Sequence, residues 1–273
     1  MNRHIDEVEF TIFDTETTGL DPSSGDRIVE IAAVRMKGKE RLAELQALIN
    51  PGRQISDAAF RVNHITPEML KGAPPAAEVV PKFLDFIRGS CLCSYNAGFD
   101  IEFLNSELAL CAGGSLDDII VADILKMARR LLPGLERYAL WFVAEKLGVK
   151  MQQEHRAMAD VAMTIQVFEK LKEILAQKGI TDFRNFSGLF GLKSRLLDDL
   201  ANQKLAQIQQ ALDLRLKVKI KYISSSSAAV TEREVIPKEV RKEYNHYYLV
   251  GYCCLKKEER SFRIDGILHL EIV

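Results

Sequence analysis

The chain has 273 residues, 47% of them hydrophobic and 27% charged, enough apolar content for one large core or two smaller ones, which excludes a disordered or fibrous protein. It holds no apolar run of the roughly 18 residues a spanning helix needs, and its start, MNRHIDEVEF, lacks the apolar stretch of a signal peptide, so no membrane association and a cytoplasmic location are expected. The net charge of −1 conceals a split: residues 1–178 carry 21 Lys and Arg against 26 Asp and Glu, and residues 179–273 carry 16 against 12, an acidic front and a basic back that suit a metal site joined to a module attracting a polyanion.

Residues 8–17 (VEFTIFDTET) are rich in β-branched and aromatic types and read as a strand. Residues 27–36 and 40–49 read as a hairpin turning at Gly38, although propensity alone allows a helix for the second arm. Loops follow at PGRQIS and Pro74-Pro75, then a helix over 76–88, a buried strand at CLCSY, and a helix in GFDIEFLNSELALCAGG ended by its two glycines. DDIIVADIL reads as a strand, 135–147 as a helix stopped by Gly148 with Trp141 in its core stripe, and 155–177 as a long amphipathic helix. Strands and helices intermixed in this way predict a layered α/β or α+β domain.

A boundary falls near 178–193, after which 194–212 returns to helical periodicity. In RLKVKIKY, Leu216, Val218, Ile220 and Tyr222 alternate with Arg215, Lys217, Lys219 and Lys221, and TEREVIP, YYLVGYC, RSFRI and ILHLEIV add further short strands. The tail therefore reads as a small all-β sheet or barrel. The five cysteines include no CxxC pair and no zinc spacing, and read as reduced, mostly buried thiols.

The first strand carries an unusual pair. Phe10, Ile12, Asp14 and Glu16 share one face, apolar at its start and acidic at its end. Two carboxylates at 4 Å repel by about 1 kcal/mol in water and about 4 kcal/mol at an effective dielectric of about 20, so bringing them together calls for a cation, and Mg²⁺ or Mn²⁺ suits oxygen ligands. Alone, the pair reads as a strand end with its acids hydrated by solvent; it is the company of further acids that turns it toward a metal site. Asp100 adds a third acid in the first turn after a strand (SYNAGFD), and Asp160 a fourth in HRAMAD, with His155 five residues before it. His155 and Asp160 would lie about 140° apart on a regular helix, which places the histidine on the preceding loop or cap.

DTETTGL, NAGFD and HRAMAD, in this order, resemble the DEDDh family of 3′–5′ exonucleases, the proofreading and ribonuclease types, over about residues 8–177. The resemblance implies a ribonuclease H-like mixed sheet flanked by helices. It makes Asp14, Glu16, Asp100 and Asp160 ligands of two divalent ions and His155 the general base. It also brings Thr17 and Thr18 toward the terminal nucleotide and lines the cleft with Asn63 and Asn96; strand-end capping and turn hydrogen bonding are the alternative uses of these four. Tyr95 stands where many relatives have histidine, a departure from the family pattern. His64 is expected in a structural or rim role, and Asp123 as a helix cap.

ALDLRLKVKIKY, EREVIPKEV, YYLVGYC and ERSFRID resemble a WYL domain, which implies a small Sm- or SH3-like barrel with a ligand or nucleic-acid pocket; Arg233, Tyr247, Arg260 and Arg263 are its candidate positions. Gly266 stands where relatives have another arginine. Separately, the cationic face of 215–221 suits either a phosphate backbone or a solvated strand that discourages edge pairing. The expected division is an exonuclease domain at 1–178, a helical linker at 179–212 and a WYL-like β domain at 213–273. The expected function is metal-dependent 3′–5′ exonucleolysis at single-stranded DNA or RNA 3′ ends, releasing nucleoside monophosphates. The competing readings are a non-catalytic sensor of nucleic acid or ligand and an internally cutting nuclease of related fold.

Overall fold

The computed structural model describes residues 3–111, 115–150, 156–192 and 195–273. Its first sheet is organised by β1 (Glu9–Thr17), whose alternating side chains face two different cores. Hairpin strands β2 (Ile28–Lys37) and β3 (Glu40–Leu48) follow, with Gly38 in the turn at φ 57°, a left-handed conformation that glycine adopts without penalty. Pairing in the sheet settles the ambiguity of the second arm in favour of strand.

Short helices α1 (Asp57–Asn63) and α2 (Pro67–Leu70) lead to α3 (Ala76–Ile87). Strand β4 (Cys91–Ser94) then runs into α4 (Ala97–Leu110). The expected strand over DDIIVADIL shrinks to β5 (Val121–Asp123), because Asp123 accepts a hydrogen bond from Leu125 N and caps α5 (Ile124–Leu131). The helix expected over 135–147 is confined to α6 (Leu140–Lys146), and α7 (Ala157–Gln177) follows. The two glycines expected to end α4 lie outside the described residues.

The strand order is β3-β2-β1-β4-β5, with the first three antiparallel and β4 and β5 parallel to β1. On one face Phe10 and Ile12 of β1 join α5, α6 and α7 in a buried core; on the other Phe13 joins α3 and α4. Each fully buried Phe or Ile contributes about 1.5–3 kcal/mol. Helix α8 (Phe183–Phe190) packs on the first of these cores: Phe183 and Phe186 lie against Phe10 with ring centroids 6.0 and 5.4 Å away.

Helix α9 (Arg195–Asp213) leads into a second, all-antiparallel sheet of β6 (Val218–Ile223), β7 (Val230–Glu243), β8 (His246–Cys253), β9 (Glu258–Arg263) and β10 (Ile267–Ile272). Its order is β10-β6-β7-β8-β9. Among the described residues no ladder joins β9 to β10, so the pairing is that of an open sheet. Val218 and Ile220 face its core with Ile208 and Ala211 of α9, as the alternation requires. The two sheets touch: Arg130 of α5 reaches Asp265 at 3.4 Å, and Ile223 and Leu268 join the core behind the first sheet. Among the described residues no helix is long and apolar enough to cross a membrane, and the five cysteines are free.

Candidate active site

The acidic end of β1 emerges beside the first turn of α7. Asp14, Glu16 and Asp160 each offer a carboxylate oxygen within 4.8 Å of the other two. At that separation each pair of charges repels by at least about 3 kcal/mol at an effective dielectric of about 20. Burial and then repulsion from Asp100, Glu16 and Asp160 push the Asp14 carboxyl well above the ordinary range. Burial and then Asp160, Glu30 and Asp100 push Glu16 up to about 8. Crowded oxygen donors of this kind, with no soft ligand among them, fit a hard divalent cation.

Asp100 stands apart from this trio. It belongs to α4, on the opposite face of the sheet, and is held by Thr15, whose side chain points to that face. Thr15 donates from N and Oγ1 to Asp100 Oδ1 at 3.0 and 2.7 Å, and Ser94 Oγ donates to Oδ2 at 2.5 Å. Burial raises Asp100 to about 6, against the pull of these hydrogen bonds. Asp100 is the carboxylate that most raises Asp14, so the fourth acid adjoins the trio electrostatically while its oxygens are engaged with Thr15 and Ser94. His155 lies outside the described residues.

Two buried glutamates, Glu30 and Glu107, hold the helices that deliver these acids, and neither was singled out from sequence. Glu30, near the start of β2 and fully buried, sits opposite Glu16 in the strand register. It accepts from Arg156 Nε at 3.0 Å and Nη2 at 2.8 Å, from Ala157 N at 3.2 Å and from Gln46 at 2.9 Å, fixing the first residues of α7. Burial raises its carboxyl, but these donors outweigh burial and leave it lowered. Glu107 does the same for α4, accepting from Arg27 Nε and Nη2 at 2.8 and 2.7 Å and from Ile28 N at 3.1 Å. The signal available in sequence was a lone acid inside an apolar strand, RIVEIAAV, and an arginine next to His155.

The remaining candidates are used locally. Thr17 Oγ1 donates to Gly19 O at 2.5 Å and Thr18 Oγ1 to Asp26 at 2.9 Å, both buried at the strand end. Asn63 is buried, donating to Thr17 O at 3.2 Å and accepting from Ile65 N at 3.1 Å. Asn96 is exposed, at φ 69°, where its backbone N donates to Asp123 at 3.2 Å. Tyr95 donates to Tyr138 O at 2.8 Å. His64 ends α1 in a left-handed conformation beside Phe60.

In the second sheet the four candidates divide. Arg233 and Arg260 line a cavity of about 380 Å³ with Tyr222, Phe262 and the serines of 224–227. Arg263 instead pairs with Asp265, and Tyr247 lies under Lys242. A Cβ at Gly266 would meet the Tyr222 ring at 2.8 Å, so Tyr222 occupies the space a larger residue needs. Lys219 and Lys221 stand opposite Glu234 and Glu232 of β7, and Lys219 also opposite Glu271 of β10. Those glutamates offset the cationic strand face, which favours its reading as a paired sheet surface.

The exonuclease family model matches residues 11–168, more than half of the chain. The chain belongs to this exonuclease family. A WYL domain model matches residues 203–272. The chain resembles the DNA polymerase III subunit epsilon of Treponema pallidum (strain Nichols), 42% identical over 165 residues, 60% of this chain and 76% of that protein. PolC-type DNA polymerase III proteins match as well, and the chain spans 12–17% of the length of three of them. Among solved structures, exonuclease X in complex with 5′ overhanging duplex DNA is 27% identical, with a TM-score of 0.51 over 63% of this chain and 95% of that one. The nuclease domain of 3′hExo, a DEDDh family member bound to rAMP, shares the fold at 19% identity, with a TM-score of 0.55 over 68% of this chain and 96% of that one. The front of the chain is thus an α/β, ribonuclease H-like exonuclease fold, and an all-β sheet follows it.

Proposed function

We propose that the chain is a metal-dependent 3′–5′ exonuclease that hydrolyses phosphodiester bonds at single-stranded 3′ ends of DNA or RNA and releases nucleoside monophosphates. The observation that carries this reading is the meeting of Asp14, Glu16 and Asp160, three carboxylates held within 4.8 Å of one another at the end of one strand and the start of one helix. Bound there and beside Asp100, two divalent ions, Mg²⁺ or Mn²⁺, would supply Lewis-acid stabilisation of phosphodiester charge. Asp14, Glu16 and Asp160 hold the site, and Asp100, steadied by Thr15 and Ser94, completes it. His155, directly before the clamped Arg156, is assigned the water's proton, a task suited to an imidazole of ordinary pKa near 6.5. Thr17 and Thr18 fix the rim on which the terminal nucleotide rests, with Asn63 beneath it and Asn96 exposed at the turn before Asp100.

The working division is an exonuclease domain at 1–178, a connecting segment at 179–212 and a WYL-like, barrel-like module at 213–273. Arg233 and Arg260 are the residues of that module best placed for an anionic ligand or nucleic acid, with Tyr247 and Arg263 on separate surfaces. A cytoplasmic location fits this reading.

The test is incubation of 5′-labelled single-stranded DNA and RNA oligomers and of a circular strand with the protein, in Mn²⁺ and in EDTA. A ladder shortening from the 3′ end in Mn²⁺ alone is expected, with the circle left intact. Prompt cutting of the circle would replace the exonuclease reading with an internal nuclease. Binding without hydrolysis in Mn²⁺ would favour a sensor.

A further inference from the structure

Trp141 is the chain's one tryptophan, and its place in an apolar stripe assigns it to the core. The structure overturns that: it is 44% exposed. Helix α6 turns Leu140, Val143 and Ala144 inward, the spacing of a single helical face, which directs Trp141 to solvent. The surrounding surface interleaves rings and cations. The Arg137 guanidinium lies 5.9 Å from the Trp141 ring and 5.7 Å from the Phe142 ring; Lys146 stands 5.0 Å over Phe142, and Arg129 6.0 Å over Tyr138. Glu136, at 3.2 Å from Arg137, and Glu145 leave the cations in excess.

This surface is tied to the carboxylate site. Tyr95 donates to Tyr138 O at 2.8 Å, and Tyr95 directly follows Ser94, which holds Asp100. Asn96 N donates to Asp123, the cap of the helix that carries Arg129. A strand whose 3′ end reached the acids would find these rings next to the turn that positions Asp100.

We propose that Tyr138, Trp141 and Phe142, with Arg129, Arg137 and Lys146, form a stacking platform for single-stranded nucleic acid upstream of the 3′ end. The inference rests on the exonuclease reading and extends it to a second contact on the substrate. Bases stack on accessible ring faces for about 1–3 kcal/mol each, here the exposed Trp141 first and the half-buried Phe142 and Tyr138 at its side, and arginines beside the rings neutralise the phosphates between them. A protein partner would favour a continuous apolar surface; rings alternating with cations suit a polyanion that carries flat aromatic groups.

Because Trp141 has no other tryptophan to mask it, its fluorescence reports on the platform directly. In EDTA, without turnover, an oligonucleotide of about 12 nucleotides is expected to quench it and to bind at least about tenfold more tightly than a dinucleotide. In Mn²⁺, Trp141→Ala and Arg137→Ala are expected to raise KM on the longer strand about 5- to 150-fold with kcat unchanged, the factor that about 1–3 kcal/mol per base gives. Dinucleotide hydrolysis stays at the wild-type rate, and Trp141→Phe, which keeps a ring, retains most of the affinity. Hydrolysis by the wild type with no quenching, and a KM for Trp141→Ala within about twofold of wild type, would overturn the platform and leave the catalytic reading standing. Length-dependent quenching without hydrolysis in Mn²⁺ would support the platform and overturn the catalytic reading.

Discussion

Replacing Arg156 with alanine removes the guanidinium that offsets the fully buried Glu30, which faces Glu16 across two strands. The loss comprises two charge-assisted hydrogen bonds, at 3.0 and 2.8 Å. Breaking a buried ion pair from one side costs about 3–5 kcal/mol. Glu30 retains Gln46 and Ala157 N, and the Arg156 side chain is 34% exposed, so the lower figure of about 3 kcal/mol applies. For a chain of this size that is a fall in Tm of about 6–12 °C. A double-mutant cycle with Glu30→Gln, read by denaturant unfolding in EDTA, is expected to give a coupling of about 2 kcal/mol. Asp160 N donates to Arg156 O at 3.0 Å, so the clamp also sets the turn bearing Asp160. Calorimetric titration should therefore find Mn²⁺ bound about 10-fold or more weakly by Arg156→Ala. A loss under about 1 kcal/mol together with unchanged Mn²⁺ affinity would refute the claim that this pair positions the site.

Three further outcomes follow from charge. Asp14→Asn relieves repulsion among carboxylates within 4.8 Å, so in EDTA it should be more stable than wild type by about 1–3 kcal/mol while hydrolysis falls below about 1%. Mn²⁺ at about 100 times its Kd should stabilise wild type by about 2.7 kcal/mol and the variant by less, measured by thermal melts. Lys204 donates to Ile267 O at 2.6 Å, and burial lowers its pKa from 10.5 to about 8. Between those values the unfolded chain binds the extra proton, so stability rises with pH across about 8 to 10.5, by about 2–3 kcal/mol from this group. Lys204→Met should flatten that part of the denaturation profile.

Much of this was legible because local pattern and tertiary role coincide. The apolar-to-acidic run from Phe10 to Glu16 marks both a core face and a site, and Gly38 marks its own turn. The short β5 was overextended because Asp123 serves at once as the strand's last residue and the cap of α5. Trp141 was misplaced because an apolar residue adjoining a helical stripe fits the periodicity whether it points in or out, and only the packing of Leu140, Val143 and Ala144 decides. Glu30–Arg156 and Glu107–Arg27 were missed since each pair joins residues 80 to 126 positions apart, a separation that no local pattern reports. The same holds for Asp100: sequence places it at a strand-to-helix turn, but not on the far side of the strand, in the grip of Thr15 and Ser94.

Whether these carboxylates hold divalent cations can be read most directly from anomalous diffraction of crystals soaked in Mn²⁺. Strong peaks bounded by Asp14, Glu16 and Asp160 are expected, at least one also approached by Asp100, and they should disappear in Asp14→Asn. Well-ordered carboxylates with no peak at saturating Mn²⁺ would contradict cation binding there.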